Sequence, residues 1–132
     1  KYGENGAFPT ADALVEAGEE GIFALKTGFR AGYIYDAAVK VKTGEVVLDD
    51  IAKCEDYEKC TDMLCSIKGV GPKVSSCVLL FGFGKTEAFP IDVWIKRALK
   101  ENFPKGFDPT TLGEYAGLAQ QYIFYYARSH GK

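Results

Sequence analysis

No stretch of this chain is apolar for long enough to cross a bilayer. The longest run, residues 77–83, contains Gly82 and falls far short of the roughly 20 residues a span needs. The four cysteines, Cys54, Cys60, Cys65 and Cys77, include no pair with a two-residue gap, and none follows Cys77. That excludes zinc-knuckle and ferredoxin-type spacing and leaves reduced thiols as the simpler account than disulfides. Repeats, low-complexity segments and convincing period-two alternation are also missing, so strands are not expected. An initiator methionine and a basic-apolar leader are absent as well, which makes the chain read as a piece cut from a longer protein. What remains is 132 residues, 47% hydrophobic, enough for one domain over 1–132 with a single core.

A net positive charge is lacking too, since the chain carries −2 overall. The distribution matters more than the sum. Residues 1–65 hold seven Lys/Arg against thirteen Asp/Glu, residues 66–106 hold seven against three, and residues 107–132 hold two against two. The basic stretch contains Lys68, Lys73, Lys85, Lys96, Arg97, Lys100 and Lys105. Such residues can face phosphates, although for each one a solvated surface position is the simpler reading.

Helical spacing predicts an all-α fold. Thr10 is placed to cap a helix that Gly18 ends, and a second helix over 19–26 stops at Gly28. A third over 30–42 ends at Gly44 and presents Tyr33, Ile34, Ala37, Ala38 and Val41 as its apolar face. A short stretch at 48–54 follows, then a helix over 56–67 with Tyr57, Cys60, Leu64 and Ile67 as a buried stripe. Pro72 starts the next, to about Phe83; Asp92 caps one over 93–101; Thr110 or Thr111 starts a last long helix ending near Arg128.

The most informative segment is Leu64-Cys65-Ser66-Ile67-Lys68-Gly69-Val70-Gly71-Pro72-Lys73-Val74, followed by Phe89-Pro90-Ile91-Asp92-Val93. Glycines flanking Val70 permit backbone shapes in which successive N–H groups converge on an anion or a bridging cation, and the helix after them adds a positive dipole end. The result is a helix-hairpin-helix phosphate clamp over about 56–83. Lys73 lies in the first turn of that helix, where the dipole favours the neutral, nucleophilic amine; partial burial would add to this. A surface lysine touching phosphate is the other reading. Asp92, nineteen residues on, is a helix cap that is also suited to stabilising positive charge at a sugar's anomeric carbon. The pairing points to base-excision chemistry on DNA.

These residues resemble the helix-hairpin-helix DNA glycosylase superfamily. Two further blocks are similar to its 8-oxoguanine branch: Ala116-Gly117-Leu118-Ala119-Gln120-Gln121-Tyr122-Ile123-Phe124, like a base-pocket helix, and Gly28-Phe29-Arg30-Ala31-Gly32-Tyr33-Ile34, like a strand-wedging segment. The resemblance implies that Lys73 is the nucleophile and Asp92 stabilises the transition state. It implies that Gln120 reads the Watson–Crick edge of the extruded base and Phe124 stacks on it. Gln120 and Phe124 share a helix side, as do Lys73, Cys77 and Phe81, so Cys77 and Phe81 are placed to supply the opposite wall of a purine slot. Core packing is the alternative for Cys77, Phe81 and Phe124, a structural hydrogen bond for Gln120, and a helix-surface position for Arg30. Gly69, Val70 and Gly71 would grip the DNA backbone. Arg30 would read the opposing cytosine, with Phe29 wedging the gap. Trp94 stands where animal enzymes usually carry a phosphate-holding histidine; an indole N–H donates but carries no charge.

The resemblance implies an all-α glycosylase domain, truncated at its N-terminal side, that excises 8-oxoguanine from double-stranded DNA through a lysine Schiff base and then cleaves the abasic strand. It implies no redox cofactor and no catalytic metal, with a monovalent cation at the hairpin backbone as an option. It further implies an intracellular monomer, in cytoplasm or nucleoid if bacterial and nucleus if eukaryotic, with no membrane partner. An endonuclease III-like pyrimidine glycosylase and a non-catalytic DNA-binding module are the rival readings. Because the upstream half of such an enzyme is missing, the isolated chain is expected to be weak or inactive.

Overall fold

In the computed structural model, residues 3–131 are described, and they fall into two compact units, one ending at Val70 and the other beginning at Gly71. No strand occurs among the described residues. None of their helices is long and apolar enough to cross a membrane.

The first unit holds α1 (Ala11–Ile22), α2 (Arg30–Thr43), α3 (Leu48–Lys53) and α4 (Tyr57–Cys65). Its boundaries follow local chemistry. The Thr10 hydroxyl accepts the Ala13 N–H at 3.2 Å and starts α1. Gly18, at φ +71°, interrupts that helix where the sequence predicts a stop. After α1 the chain widens into a π-type turn, Phe23–Thr27, and Gly28 at φ +61° redirects it into α2. Gly44 ends α2 in the left-handed conformation. The Asp56 carboxylate caps α4 by accepting the Glu58 and Lys59 N–H groups at 3.1 and 3.2 Å. The core of this unit is Ile22, Ala31, Ala38, Val46, Ile51, Cys60, Leu64 and Ile67. Each fully buried large aliphatic there contributes about 1.5–3 kcal/mol. The Cys60, Leu64 and Ile67 stripe is buried as its spacing requires, with Tyr57 half-buried at its end. On α2 the buried positions are Ala31 and Ala38, while Tyr33, Ile34, Ala37 and Val41 are only half-buried.

The second unit holds α5 (Pro72–Cys77), α6 (Val93–Asn102) and α7 (Ala116–His130). Pro72 occupies the first turn of α5, where its missing N–H costs nothing. Beyond Cys77 the helix continues as a π-type turn, Val78–Gly82. Phe89, Ile95 and Ala116 form the centre of the core, with Leu99, Phe107, Leu112, Ile123 and Phe124 packed around them. The expected start of the last helix at Thr110 or Thr111 is corrected. Asp108 caps a tight 3₁₀ segment, Pro109–Tyr115, and Gly113 at φ +58° and ψ −135° breaks it, so α7 begins only at Ala116.

Candidate functional site

Lys73, Cys77, Phe81, Asp92, Trp94, Gln120 and Phe124 all lie in the second unit, and their surroundings divide them into two groups. On α5 and its π-type extension, the buried positions are Ser75 and Leu79, both fully enclosed. Lys73, Cys77 and Phe81 sit on the remaining side. Lys73 is exposed, Cys77 is half-buried and Phe81 is 65% exposed. For Phe81, the core-packing alternative does not hold in this unit; half-buried Cys77 leaves it open. Burial does not act on Lys73 in this unit, because the first turn of a six-residue helix projects it into solvent.

The other group is locked in place. Asp92 begins α6, and its Oδ1 accepts the Ile95 N–H at 2.8 Å. Its Oδ2 has no protein partner among the described residues. Gln120 is 4% exposed, and its Nε2 donates to the Pro90 carbonyl at 2.9 Å, two residues before Asp92. Its Oε1 accepts from Gln121 Nε2 at 2.6 Å. The structural hydrogen bond is thus real for Gln120. One amide hydrogen and one carbonyl lone pair are left over from these two bonds.

Phe124 packs on the Phe89, Ile95 and Ala116 core while remaining half-buried. The Arg128 guanidinium lies 5.9 Å from its ring centre and 5.6 Å from that of Trp94. Trp94 also borders a cavity of about 170 Å³ between α6 and the end of α7, lined further by Arg97, Glu101, Tyr126 and His130. None of Lys73, Asp92, Gln120 and Phe124 lines that cavity. Within the basic stretch, Arg97 is engaged by Glu101 at 3.0 Å, whereas Lys73, Lys96, Lys100 and Lys105 are exposed.

Gly117 explains how α7 is seated. Its N–H donates to the Thr86 carbonyl at 2.7 Å. A β-carbon at Gly117 would meet the Ala88 and Thr86 carbonyl oxygens at 2.9 Å and collide with Leu80 Cδ1. Only glycine lets α7 approach the π-type turn and the following loop this closely. Gln120, three residues on, is thereby brought to Pro90.

In the first unit, Phe29 precedes α2 and is 80% exposed. The Arg30 guanidinium lies 5.9 Å from the Phe29 ring centre, and its Nε donates to the Thr27 carbonyl at 3.4 Å. Gly69 takes φ +85°, and the Val70 N–H closes a turn onto the Ile67 carbonyl at 3.1 Å. Gly71, in the second unit, caps α5 in an extended conformation, and its carbonyl accepts the Ser75 N–H at 2.9 Å.

No family model matches the chain. A probable N-glycosylase/DNA lyase of Methanothermobacter thermautotrophicus is 38% identical over 115 residues, covering 79% of the chain and 36% of that protein. Among solved structures, MBOgg1 in complex with a low-affinity DNA ligand superposes with a TM-score of 0.84 at 39% identity, covering 98% of the chain. The 8-oxoguanine glycosylase/lyase of Clostridium acetobutylicum, bound to double-stranded DNA with cytosine opposite 8-oxoguanine, gives 0.84 at 36% identity over 96% of the chain. The chain belongs to the helix-hairpin-helix DNA glycosylase family. It spans about half the length of the solved relatives, 49% and 46% respectively, and 36% of the Methanothermobacter protein.

Two contributors to this candidate site were not singled out by sequence reasoning. Gln121 holds the Gln120 carbonyl oxygen, and the adjacent polar pair between Ala119 and Tyr122-Ile123-Phe124 was its signal. Gly117 stood out only as a glycine near a helix start, a position that costs helix stability unless something packs against it.

Proposed function

We propose that this chain carries the catalytic portion of a bifunctional DNA glycosylase and abasic-site lyase that excises 8-oxoguanine from double-stranded DNA. The observation that carries the reading is the hydrogen bond from Gln120 to the Pro90 carbonyl. It ties the residue assigned to the base edge to the segment that delivers Asp92, in a unit that also presents Lys73 to solvent. A bare DNA clamp has no use for that arrangement.

The chemistry follows from these groups. The lone pair of the Lys73 amine attacks the anomeric carbon of the flipped nucleotide as the glycosidic bond breaks, and the base leaves with the bonding electrons and takes up a proton. Positive charge developing on the sugar is stabilised by the Asp92 carboxylate, whose Oδ2 is not used in capping. Opening of the sugar ring with loss of the amine proton gives a Schiff base to Lys73. Removal of a proton from the neighbouring carbon then expels the 3′ phosphate by β-elimination. Gln120 and Phe124 would read the edge and face of the base, Cys77 and Phe81 would line its other side, and Phe29 and Arg30 would occupy the gap. Gly69, Val70 and Gly71 would hold the backbone phosphate, with Trp94 near it. Acting on DNA places the protein inside the cell.

Borohydride trapping on a duplex carrying an abasic site tests the reading. The full-length parent protein should give a covalent adduct and its Lys73→Gln variant should give none; equal trapping by both would remove Lys73 from the mechanism. A duplex panel comparing 8-oxoguanine with thymine glycol separates the reading from an endonuclease III-like one. Preference for thymine glycol would overturn the assignment of substrate.

A further inference from the structure

Helix α2 does more than carry Phe29 and Arg30 at its start. One side of it, read at spacings of three and four residues, runs Phe29, Tyr33, Asp36, Lys40, and each member touches something specific. Phe29 meets Tyr33 edge to face, with ring centres 6.0 Å apart. Tyr33 lies directly against Gly69, where a β-carbon would collide with its ring. Asp36 Oδ2 accepts the backbone N–H of Lys68 at 2.8 Å and pairs with Lys40 Nζ at 3.0 Å. Lys40 Nζ in turn donates to the Ser66 carbonyl. The backbone of residues 66–69 is therefore held at three successive points on one helix. The Lys68 N–H, with help from Lys40, also keeps the Asp36 carboxyl below its ordinary range.

An exposed i,i+4 ion pair would by itself be worth little. Here the same carboxylate also reaches 32 residues along the sequence, accepting the Lys68 backbone N–H beside the glycine turn. From Arg30 to Lys40 the helix rises about 15 Å, so α2 sets a fixed distance between the exposed Phe29–Arg30 pair and the start of the Gly69 turn. We propose that Asp36 is a positioning residue for DNA engagement, fixing the turn that grips phosphate at a set spacing from the pair that enters the duplex. This rests on the function proposed above.

The test compares Asp36→Ala with Asp36→Asn. The two variants have the same charge, and only asparagine keeps an oxygen to accept the Lys68 N–H. Binding is measured on the full chain by fluorescence anisotropy, with a duplex containing a tetrahydrofuran abasic analogue. Charge alone predicts that both variants bind more tightly, since each removes a negative group near a polyanion, and Glu45→Gln, an exposed acid after α2, calibrates that effect. Positioning predicts instead that Asp36→Ala binds about threefold to tenfold more weakly than Asp36→Asn. Equal affinity of the two variants would overturn the proposal.

Amide exchange at Lys68 keeps the two readings separable. Exchange faster in Asp36→Ala than in Asp36→Asn supports the anchor, and equal exchange removes it. If wild-type protein does not bind the duplex, the functional reading and the DNA half of this proposal both fall, and the exchange data alone then decide whether Asp36 anchors the turn.

Discussion

Gln120 Nε2 and the carbonyl of Pro90 lie 2.9 Å apart across the second unit, in a bond buried from water. It joins two segments 30 residues apart in sequence and sets the lateral position of the chain that leads into Asp92. Gln120→Leu keeps the volume but strands the buried Pro90 carbonyl, while the exposed Gln121 amide turns to water. A loss of about 1–3 kcal/mol in urea unfolding is expected, together with a fall in base excision larger than the fall in DNA affinity.

Gly117→Ala inverts the usual preference of helices. Alanine gains roughly 0.5–1 kcal/mol over glycine in a helix interior, but here the new methyl meets Leu80 and two carbonyl oxygens. Overpacking of this kind costs about 1–3 kcal/mol, so the net effect should be a lower denaturation midpoint. An unchanged or higher midpoint would mean that α7 can move away without cost.

Ser75 is fully buried and its Oγ has no hydrogen-bond partner among the described residues. Removing the hydroxyl removes an unpaid desolvation cost, so Ser75→Ala should be neutral or stabilising by about 1 kcal/mol. Thermal unfolding of the two proteins at one pH would show a lowered midpoint if the hydroxyl does find a partner in solution.

Asp92 has two separable jobs. Asparagine can still cap α6 by accepting the Ile95 N–H, while alanine cannot. Asp92→Asn should therefore leave stability within about 0.5 kcal/mol of wild type and Asp92→Ala should cost about 1 kcal/mol. Both should depress single-turnover excision, because both remove the negative charge. Full excision activity in Asp92→Asn would assign Asp92 to capping alone.

The anchor at Asp36 has a defined pH signature. Its folded-state carboxyl titrates below the ordinary carboxylate value because the Lys68 N–H and Lys40 favour the charged form. A depressed carboxyl contributes stability above its unfolded pKa and loses it as pH falls through the folded value. Protection of the Lys68 amide should persist through the ordinary carboxylate range and disappear only below it. Loss of protection already near pH 5, followed by two-dimensional NMR, would contradict the hydrogen bond.

Much of the fold was legible because its signals are local. Thr10, Asp56 and Asp92 cap helices through atoms two or three residues away, and Gly18 and Gly44 turn the chain with a backbone sign that other residues resist. The start of α7 was not legible in the same way. Thr110 and Thr111 are good caps in isolation, but Asp108 takes that role and Gly113 reverses the backbone before a long helix can form. The spacing of Lys73, Cys77 and Phe81 is that of one side of an α-helix, but Phe81 falls in the π-type turn that follows α5. Spacing alone could not say that Ser75 and Leu79 on the other side take the core. The Asp36–Lys68 and Gln120–Pro90 bonds lie beyond any periodic pattern, since each joins residues 30 or more positions apart.

Trp94 is the only tryptophan in the sequence, and it sits half-buried beneath Arg128 with Gly131 close by. Its emission is therefore a single-site optical reporter for the last turn of α7. Fraying there would uncover the indole and shift its spectrum toward longer wavelength, with no label attached. A titration watched at that one fluorophore would reveal whether engagement of a duplex tightens or loosens the end of the helix that also carries Gln120 and Phe124.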